Sequence, residues 1–150
     1  MTRHIVFAIA LLASPAAAAP PAATGPAWAI TLEKGQPAQL IYGDGQLALR
    51  CPPASGGQVS VALRVTSART EETFPASVGL SSGVESATLR GVAGAARDSV
   101  RLAETEISTA APVIAAFRKT GQITANALGQ TLIPADAKPG MVRRFIGACR

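Results

Sequence analysis

The sequence predicts a mainly β protein, a small antiparallel β-sandwich or barrel, with a short helix near residues 112–120 and a second helix at the C-terminus. Three observations lead to this fold class. Apolar and polar residues alternate with period two in several short segments before residue 109, and turn residues separate these segments. The apolar spacing becomes helical after residue 112. The only two cysteines, Cys51 and Cys149, are placed so that a disulfide would tie the terminal helix to the sheet.

The first eighteen residues have the three parts of a secretory signal peptide. A basic start, MTRH, precedes an apolar run from Ile5 to Ala13, and small residues follow it. Ala16 and Ala18 fit the small-x-small rule, so we expect cleavage after Ala18. The apolar run is too short for a membrane anchor, and no later stretch approaches the length of a transmembrane helix. The mature protein is therefore expected in the periplasm or outside the cell.

The mature chain is expected to begin with a flexible Pro/Ala-rich leader, residues 19–26, followed by a single β-rich domain, residues 27–150. It keeps thirteen of the fourteen basic residues and all nine acidic ones, a net charge of +4. We interpret the basic residues as dispersed, because no block of them marks a nucleic-acid-binding arm. No nucleic-acid partner is expected.

The strands are predicted from the alternation, in chain order. WAITLE, beginning at Trp28, alternates between two faces, and AQLIYGDGQLALRC is typical of a hairpin that places Cys51 on the inward face. QVSVALRV is the clearest strand, and FPASVGL is the next. VESATLRGV and SVRLAETEI alternate less regularly, around an AGAARD segment that fits a loop or one helical turn. QITANALG and QTLIPAD predict a final hairpin around Gly129. Because helix and strand compete in the less regular segments, we expect about seven or eight strands in all.

Two helices are predicted in the last third of the chain. In APVIAAFRKTG, three apolar residues follow helical spacing, Pro112 lies in the first turn and Gly121 comes just past the end. The closing segment has one apolar helical face, and its arginines lie elsewhere. The residues of that apolar face are Met141, Val142, Phe145, Ile146 and Cys149.

Cys51 and Cys149 are predicted to pair, because two cysteines in an oxidising compartment most often form one internal bridge. The bridge would close a loop of about a hundred residues, for which the chain-entropy model gives a stabilisation of roughly 4–5 kcal/mol. Two free thiols or an intermolecular bridge are the alternatives. If the cysteines pair, no thiolate remains as a nucleophile or a metal ligand.

The histidine content restricts the possible catalytic chemistry. The only histidine, His4, lies in the signal peptide, so the mature chain lacks a Ser–His–Asp or Cys–His nucleophile and a histidine-ligated zinc site. No phosphate-binding loop of standard spacing occurs, and no cofactor or metal is expected. The remaining catalytic candidates are a Ser–Lys pair or carboxylates, such as Glu104 and Glu106 on one face of a strand. Two acids at this spacing are common on solvated strands, so we expect no enzyme.

Several ordered features resemble a family of exported bacterial proteins. These features are an early LRC, the strand and turn FPASVGLSSG, a helix leading into FRKTGQITANALG, and a terminal helix ending in AC. Over residues 46–149 they resemble the type VI secretion-associated VasI-like family and, more loosely, the invasion-associated locus B family. In the VasI-like pattern two cysteines correspond to Cys51 and Cys149. The resemblance implies a non-enzymatic accessory protein of the cell envelope.

We therefore expect an exported, monomeric binding or accessory module of the bacterial envelope, whose partner is an envelope or secreted protein. A small periplasmic hydrolase using carboxylates and a secreted enzyme inhibitor are the alternatives. Arg143, Arg144 and Arg150, on the polar side of the last helix, are candidates for contact with lipopolysaccharide or phospholipid headgroups. A simpler interpretation is that these arginines solvate the helix and interact favourably with its C-terminal dipole.

Overall fold

A computed structural model describes residues 25–149 of the chain, which form one antiparallel sheet and two helices. The strands adjoin in the order β1-β2-β3-β4-β7-β6-β5-β8-β9, and the sheet curls into a half-barrel. The mainly β, antiparallel class is confirmed, with nine strands rather than seven or eight. The elements are β1 (Trp28–Thr31), β2 (Ala38–Tyr42), β3 (Leu47–Cys51), β4 (Gln58–Thr66), β5 (Phe74–Ser82), β6 (Glu85–Ala93), β7 (Val100–Ser108), α1 (Pro112–Thr120), β8 (Thr124–Ala127), β9 (Gln130–Leu132) and α2 (Pro139–Gly147).

Two of the sequence predictions fall outside the described residues. The first is the signal peptide with its cleavage after Ala18, which lies in residues 1–24. The second is the candidate contact residue Arg150. Of the predicted leader, the structure describes Gly25 and Pro26, both of which are exposed. Neither α1 nor α2, the helices of the described chain, is long and apolar enough to cross a membrane.

The strands form where the sequence alternates, because one face of each strand points into the core. In β4, Val59, Val61 and Val65 are buried. Arg64 and Thr66, on either side of Val65, are exposed. β7 alternates just as strictly, although its pattern is less clear in the sequence, because two of its inward-facing residues are polar. The inward-facing residues of β7 are Arg101, Ala103, Thr105 and Ile107.

The AGAARD segment between β6 and β7 is a turn and contains no helix. Arg97 and Val100 form an isolated bridge through two backbone hydrogen bonds of 2.8 and 2.9 Å. Asp98 and Ser99 between them have positive φ angles of 51° and 63°. Two consecutive residues of positive φ are typical of the tight turn that suits the twist of a hairpin. Of the two possibilities for this segment, the loop is therefore correct.

β6 and β7 pair over a short length and then separate. Their paired residues are Val92 with Glu104 and Ala93 with Ala103. Beyond this point the hydroxyl of Thr105 donates a hydrogen bond of 2.8 Å to the carbonyl of Arg90, in place of a ladder bond. Helix α1 packs against β5 and β6.

Both helices lie on the concave side of the sheet and share its apolar core. Helix α1 buries Val113, Ile114 and Phe117, and helix α2 buries Val142, Phe145 and Ile146, in one cluster with residues of the strands. Each helix begins with proline in its first turn, where the missing N–H costs nothing. Helix α1 ends at Gly121, whose φ of 78° and close approach to the carbonyl of Ala137 both require glycine. The predicted helices and their apolar faces are confirmed.

Gln130 joins the two sides of the curled sheet. Its side-chain carbonyl accepts a hydrogen bond of 2.9 Å from the backbone N–H of Thr66, and its side-chain N–H donates one of 2.6 Å to the carbonyl of Thr66. The side-chain amide of Gln130 thus makes the two hydrogen bonds that the backbone of a neighbouring strand would otherwise make to Thr66 at the end of β4. This contact joins β9, at one edge of the half-barrel, to the end of β4.

Trp28 connects the edge strand β1 to the rest of the molecule. Its indole N–H donates a hydrogen bond of 2.6 Å to the carbonyl of Ala135, in the segment that follows β9. Its ring packs on Tyr42 and on Phe117, with centroid separations of 5.3 and 5.8 Å. These contacts hold both edges of the sheet beside α1.

Arg101 is a buried cation held by carbonyl oxygens. It is 2 % exposed, and its two terminal nitrogens donate four hydrogen bonds of 2.6–3.2 Å to backbone carbonyls. Three of these carbonyls belong to the polar connection between β4 and β5, and the fourth belongs to Gly94. The guanidinium also lies 5.2 Å from the ring centroid of Phe74. The acceptors in the connection are Arg69, Glu71 and Glu72. Arg101 therefore orders a loop that has few apolar contacts of its own.

The predicted disulfide between Cys51 and Cys149 is present. The two residues are separated by 98 positions, their Cα atoms are 5.1 Å apart, and both side chains are buried. Cys51 ends β3 and faces inward, as the alternation predicted. Cys149 follows α2, so the bridge attaches the end of that helix to the sheet.

We expect the double variant Cys51→Ala with Cys149→Ala to lose about 2–5 kcal/mol of unfolding free energy, since the bridge closes a long loop. Denaturant titration of the purified proteins measures this loss. Reduction of the wild type should lower its stability to that of the double variant. A reduced wild type that is as stable as the oxidised protein would contradict the structural role of the bridge.

We expect Gln130→Glu to lower the unfolding free energy by about 1–2 kcal/mol, because a carboxylate cannot donate to the carbonyl of Thr66 and repels it. The matched control is Gln58→Glu, the same change at an exposed residue at the other end of β4. The control should stay near the wild type in thermal and denaturant unfolding. Equal effects of the two changes would show that the bonds from Gln130 to Thr66 do not stabilise the contact between β9 and β4.

We expect Arg101→Met to cost roughly 2–4 kcal/mol of unfolding free energy, because several carbonyls lose their donor. The exposed Arg97→Met serves as the control and should change stability little. Amide hydrogen exchange should accelerate in the 69–72 loop of the Arg101 variant before it does so in the strands. Unchanged protection of that loop would contradict the ordering role of Arg101.

Candidate functional site

A groove of about 700 Å³ opens at the disulfide end of the molecule. One wall is the loop after β3, a second is the corner between β7 and α1, and the two helices form the rest. The groove is lined by Gly56, Gly57, Thr109, Ala110, Arg118, Arg143, Ile146, Gly147 and Cys149. We call this the basic groove, because the charged side chains among its described lining residues are the two arginines.

Arg118 and Arg143 lie in the basic groove because the residue before each of them is buried in the core. Phe117 and Val142 point into the core, so the residue that follows each of them is turned about 100° away from the sheet. Arg118 and Arg143 are these residues, and both are exposed. Since α1 and α2 pack against each other, the two guanidinium groups line the same depression from different helices.

Two glycines leave the backbone bare along the loop side of the groove. Gly56 and Gly57 have positive φ angles of 62° and 82°. A Cβ atom at Gly57 would lie 3.1 Å from the hydroxyl oxygen of Thr109, so a side chain there would crowd the wall. The N–H of Thr109 donates a hydrogen bond of 2.7 Å to the carbonyl of Gly57, which ties this loop to the start of α1.

The positive charge of the chain is concentrated in its C-terminal part. Residues 109–150 carry six basic side chains and one acidic one, whereas residues 19–108 carry seven basic and eight acidic ones. Neither helix contains an acidic residue. The outward side of α1 and α2 therefore presents Arg118, Lys119, Arg143 and Arg144, all exposed, and we call this surface the basic helical face. The interpretation of the charge as dispersed is wrong for the helical part of the chain.

Helix dipoles account for part of this arrangement. Arg118 and Lys119 lie in the last turn of α1, and Arg144 lies in the last turn of α2, where cations interact favourably with the backbone carbonyls. Arg143 precedes that last turn. Its position in the groove is therefore not explained by the dipole.

The structure separates the residues that the sequence singled out. Arg143 lines the basic groove, Arg144 lies beside it on the basic helical face, and Arg150 is not described. Glu104 and Glu106 share the outward face of β7, as predicted, and both are exposed on the convex side of the sheet. They face away from the helices and the groove. Within residues 25–149, no group of three or more His, Cys, Asp or Glu side chains is placed to hold a metal ion.

Sequence reasoning missed Arg118 and the two glycines of the groove. The excess of basic over acidic residues after residue 108 is a sequence signal that could have identified Arg118. Comparison of the chain with protein-family models, with curated proteins and with solved structures finds no match. Function is therefore inferred from the groove, the basic helical face and their charges.

Proposed function

We propose that the protein is an exported, non-enzymatic binding module that docks on an acidic envelope or secreted protein through its basic helical face. The observation that carries this proposal is the charge separation. Two adjacent helices present four exposed cations and contain no acid, while the sheet is close to neutral. Such a one-sided potential raises the association rate with a partner of opposite charge and selects against basic partners.

A protein partner fits this face better than a lipid surface does. Peripheral membrane binding usually combines cations with apolar side chains that enter the bilayer. The large exposed apolar side chains of the described residues all lie on strands or loops, none of them on α1 or α2. They are Leu32, Val84, Val92, Val100, Leu102 and Ile133.

A protein partner also fits better than a sugar or a single-stranded nucleic acid. Those ligands stack on exposed aromatic rings. Tyr42, Phe74, Phe117 and Phe145 are buried, and Trp28 is half-buried against two of them. None of the described residues that line the basic groove is aromatic.

Export is supported by two features. The N-terminal sequence has the pattern of a signal peptide, and the Cys51–Cys149 disulfide is typical of oxidising compartments. The resemblance to VasI-like proteins is consistent with an accessory role in the envelope. We therefore place the proposed partner in the periplasm or outside the cell.

We expect the oxidised protein, used as bait on an envelope fraction, to retain an acidic protein that elutes as salt is raised. Lys119→Glu with Arg144→Glu should lower the association rate with that protein about tenfold or more, because it reverses charges that steer encounter. The control is Arg50→Glu with Arg90→Glu, which changes the net charge equally at exposed residues of β3 and β6. The control should bind like the wild type.

Three outcomes would contradict the proposal. Equal loss in both variants would show that net charge, not the basic helical face, governs binding. Co-sedimentation with phosphatidylglycerol vesicles, in the absence of any protein partner, would assign the face to a lipid surface. Turnover of cell-wall fragments that Glu104→Gln abolishes would show that the protein is an enzyme.

A further inference from the structure

We infer that the basic groove is a carboxylate-binding subsite that receives an acidic segment of a peptide chain between Arg118 and Arg143. This inference deepens the proposed function and depends on it for the nature of the partner. It adds a defined ligand group, the carboxylate, and two residues that bind it directly. Lys119 and Arg144, which lie outside the groove lining, only steer the encounter.

The two arginines are suited to carboxylates by their geometry. A guanidinium presents a planar fork of donors that binds both oxygens of a carboxylate, which the compact ammonium of lysine cannot do. Arg118 comes from α1 and Arg143 from α2, so the groove has donors on two elements. Among residues 25–149, no acidic side chain lines the groove. An anion that enters the groove meets a guanidinium from each helix.

The size and the bare backbone of the groove favour a peptide over a single ion. Binding sites for ligands larger than an ion have volumes of about 300–1,000 Å³, and the basic groove, at about 700 Å³, lies in that range. Gly56 and Gly57 expose main chain without side chains, which lets another chain approach closely. The hydroxyl of Thr109 adds a donor and acceptor beside them.

The groove is held in shape before any ligand binds. The hydrogen bond between Thr109 and Gly57 fixes the loop side, and the Cys51–Cys149 bridge fixes the end of α2. Cys149 itself lines the groove. A site that is already ordered loses less conformational entropy on binding, which raises the affinity for a short segment.

The test is an NMR titration of the oxidised protein with acetylated, amidated tetraglutamate. We expect saturable shifts at the amides of Gly56 and Gly57 and none with tetraglutamine. Arg118→Gln and Arg143→Gln should each weaken binding about tenfold, which corresponds to about 1.4 kcal/mol. The matched control is Arg144→Gln, which removes the same charge one residue away from Arg143 and should weaken binding less than twofold.

The same titration distinguishes carboxylate ligands from phosphate ligands, which are also anionic. Tighter binding of inorganic phosphate than of tetraglutamate would assign the groove to phosphorylated ligands and overturn the carboxylate assignment. Absence of shifts at Gly56 and Gly57, or an equal effect of Arg144→Gln, would also overturn it. All three arginines are exposed, and a near-wild-type melting temperature shows that each variant is folded.

Failure of the subsite can be told apart from failure of the proposed function. If Lys119→Glu with Arg144→Glu slows capture of the envelope partner while Arg118→Gln and Arg143→Gln leave it unchanged, the face is correct and the subsite is wrong. If neither pair of changes affects capture, the proposed function is wrong. If the groove variants raise the dissociation rate of the captured protein, both are supported.

Discussion

Apolar contact between two short helices and the concave side of the sheet is the interaction on which the rest of this structure depends. Each helix has nine residues, fewer than the roughly 12–15 that an isolated helix needs in water. Their stability therefore comes from burying residues such as Phe117 and Phe145 in the shared core. The sheet has to curl to enclose these rings, and this curvature brings β9 back to β4, where Gln130 joins them.

The same packing creates a conflict that the covalent bridge helps to resolve. Because the apolar faces of α1 and α2 point inward, their cations are left together on the outside and repel one another. The core contacts and the Cys51–Cys149 disulfide hold the helices side by side against this repulsion. The basic helical face therefore concentrates positive charge that no acidic side chain of either helix neutralises.

The sequence predicted most of the fold, because alternation, turn residues and cysteine count all depend on local chemistry. β7 was harder to recognise, because its inward-facing Arg101 and Thr105 are satisfied by carbonyls that only the folded sheet brings close. Arg143 could be singled out from its helix alone. The basic groove could not be predicted in this way. Gly57 and Arg118 line it together only because of the register of the sheet and the packing of α1 on it. Periodicity within a segment carries no information about such contacts between segments.

The way Arg101 is held also determines how the fold responds to acid. A buried arginine is usually paired with a carboxylate, and such a pair is lost when the carboxylate takes up a proton. The four acceptors of Arg101 are peptide carbonyls, which do not titrate. Protonation of a carboxylate therefore does not remove an acceptor from the bonds between Arg101 and the loop between β4 and β5. A protein proposed to work outside the buffered cytoplasm thus has a loop whose bonds to Arg101 do not depend on the protonation of a carboxylate.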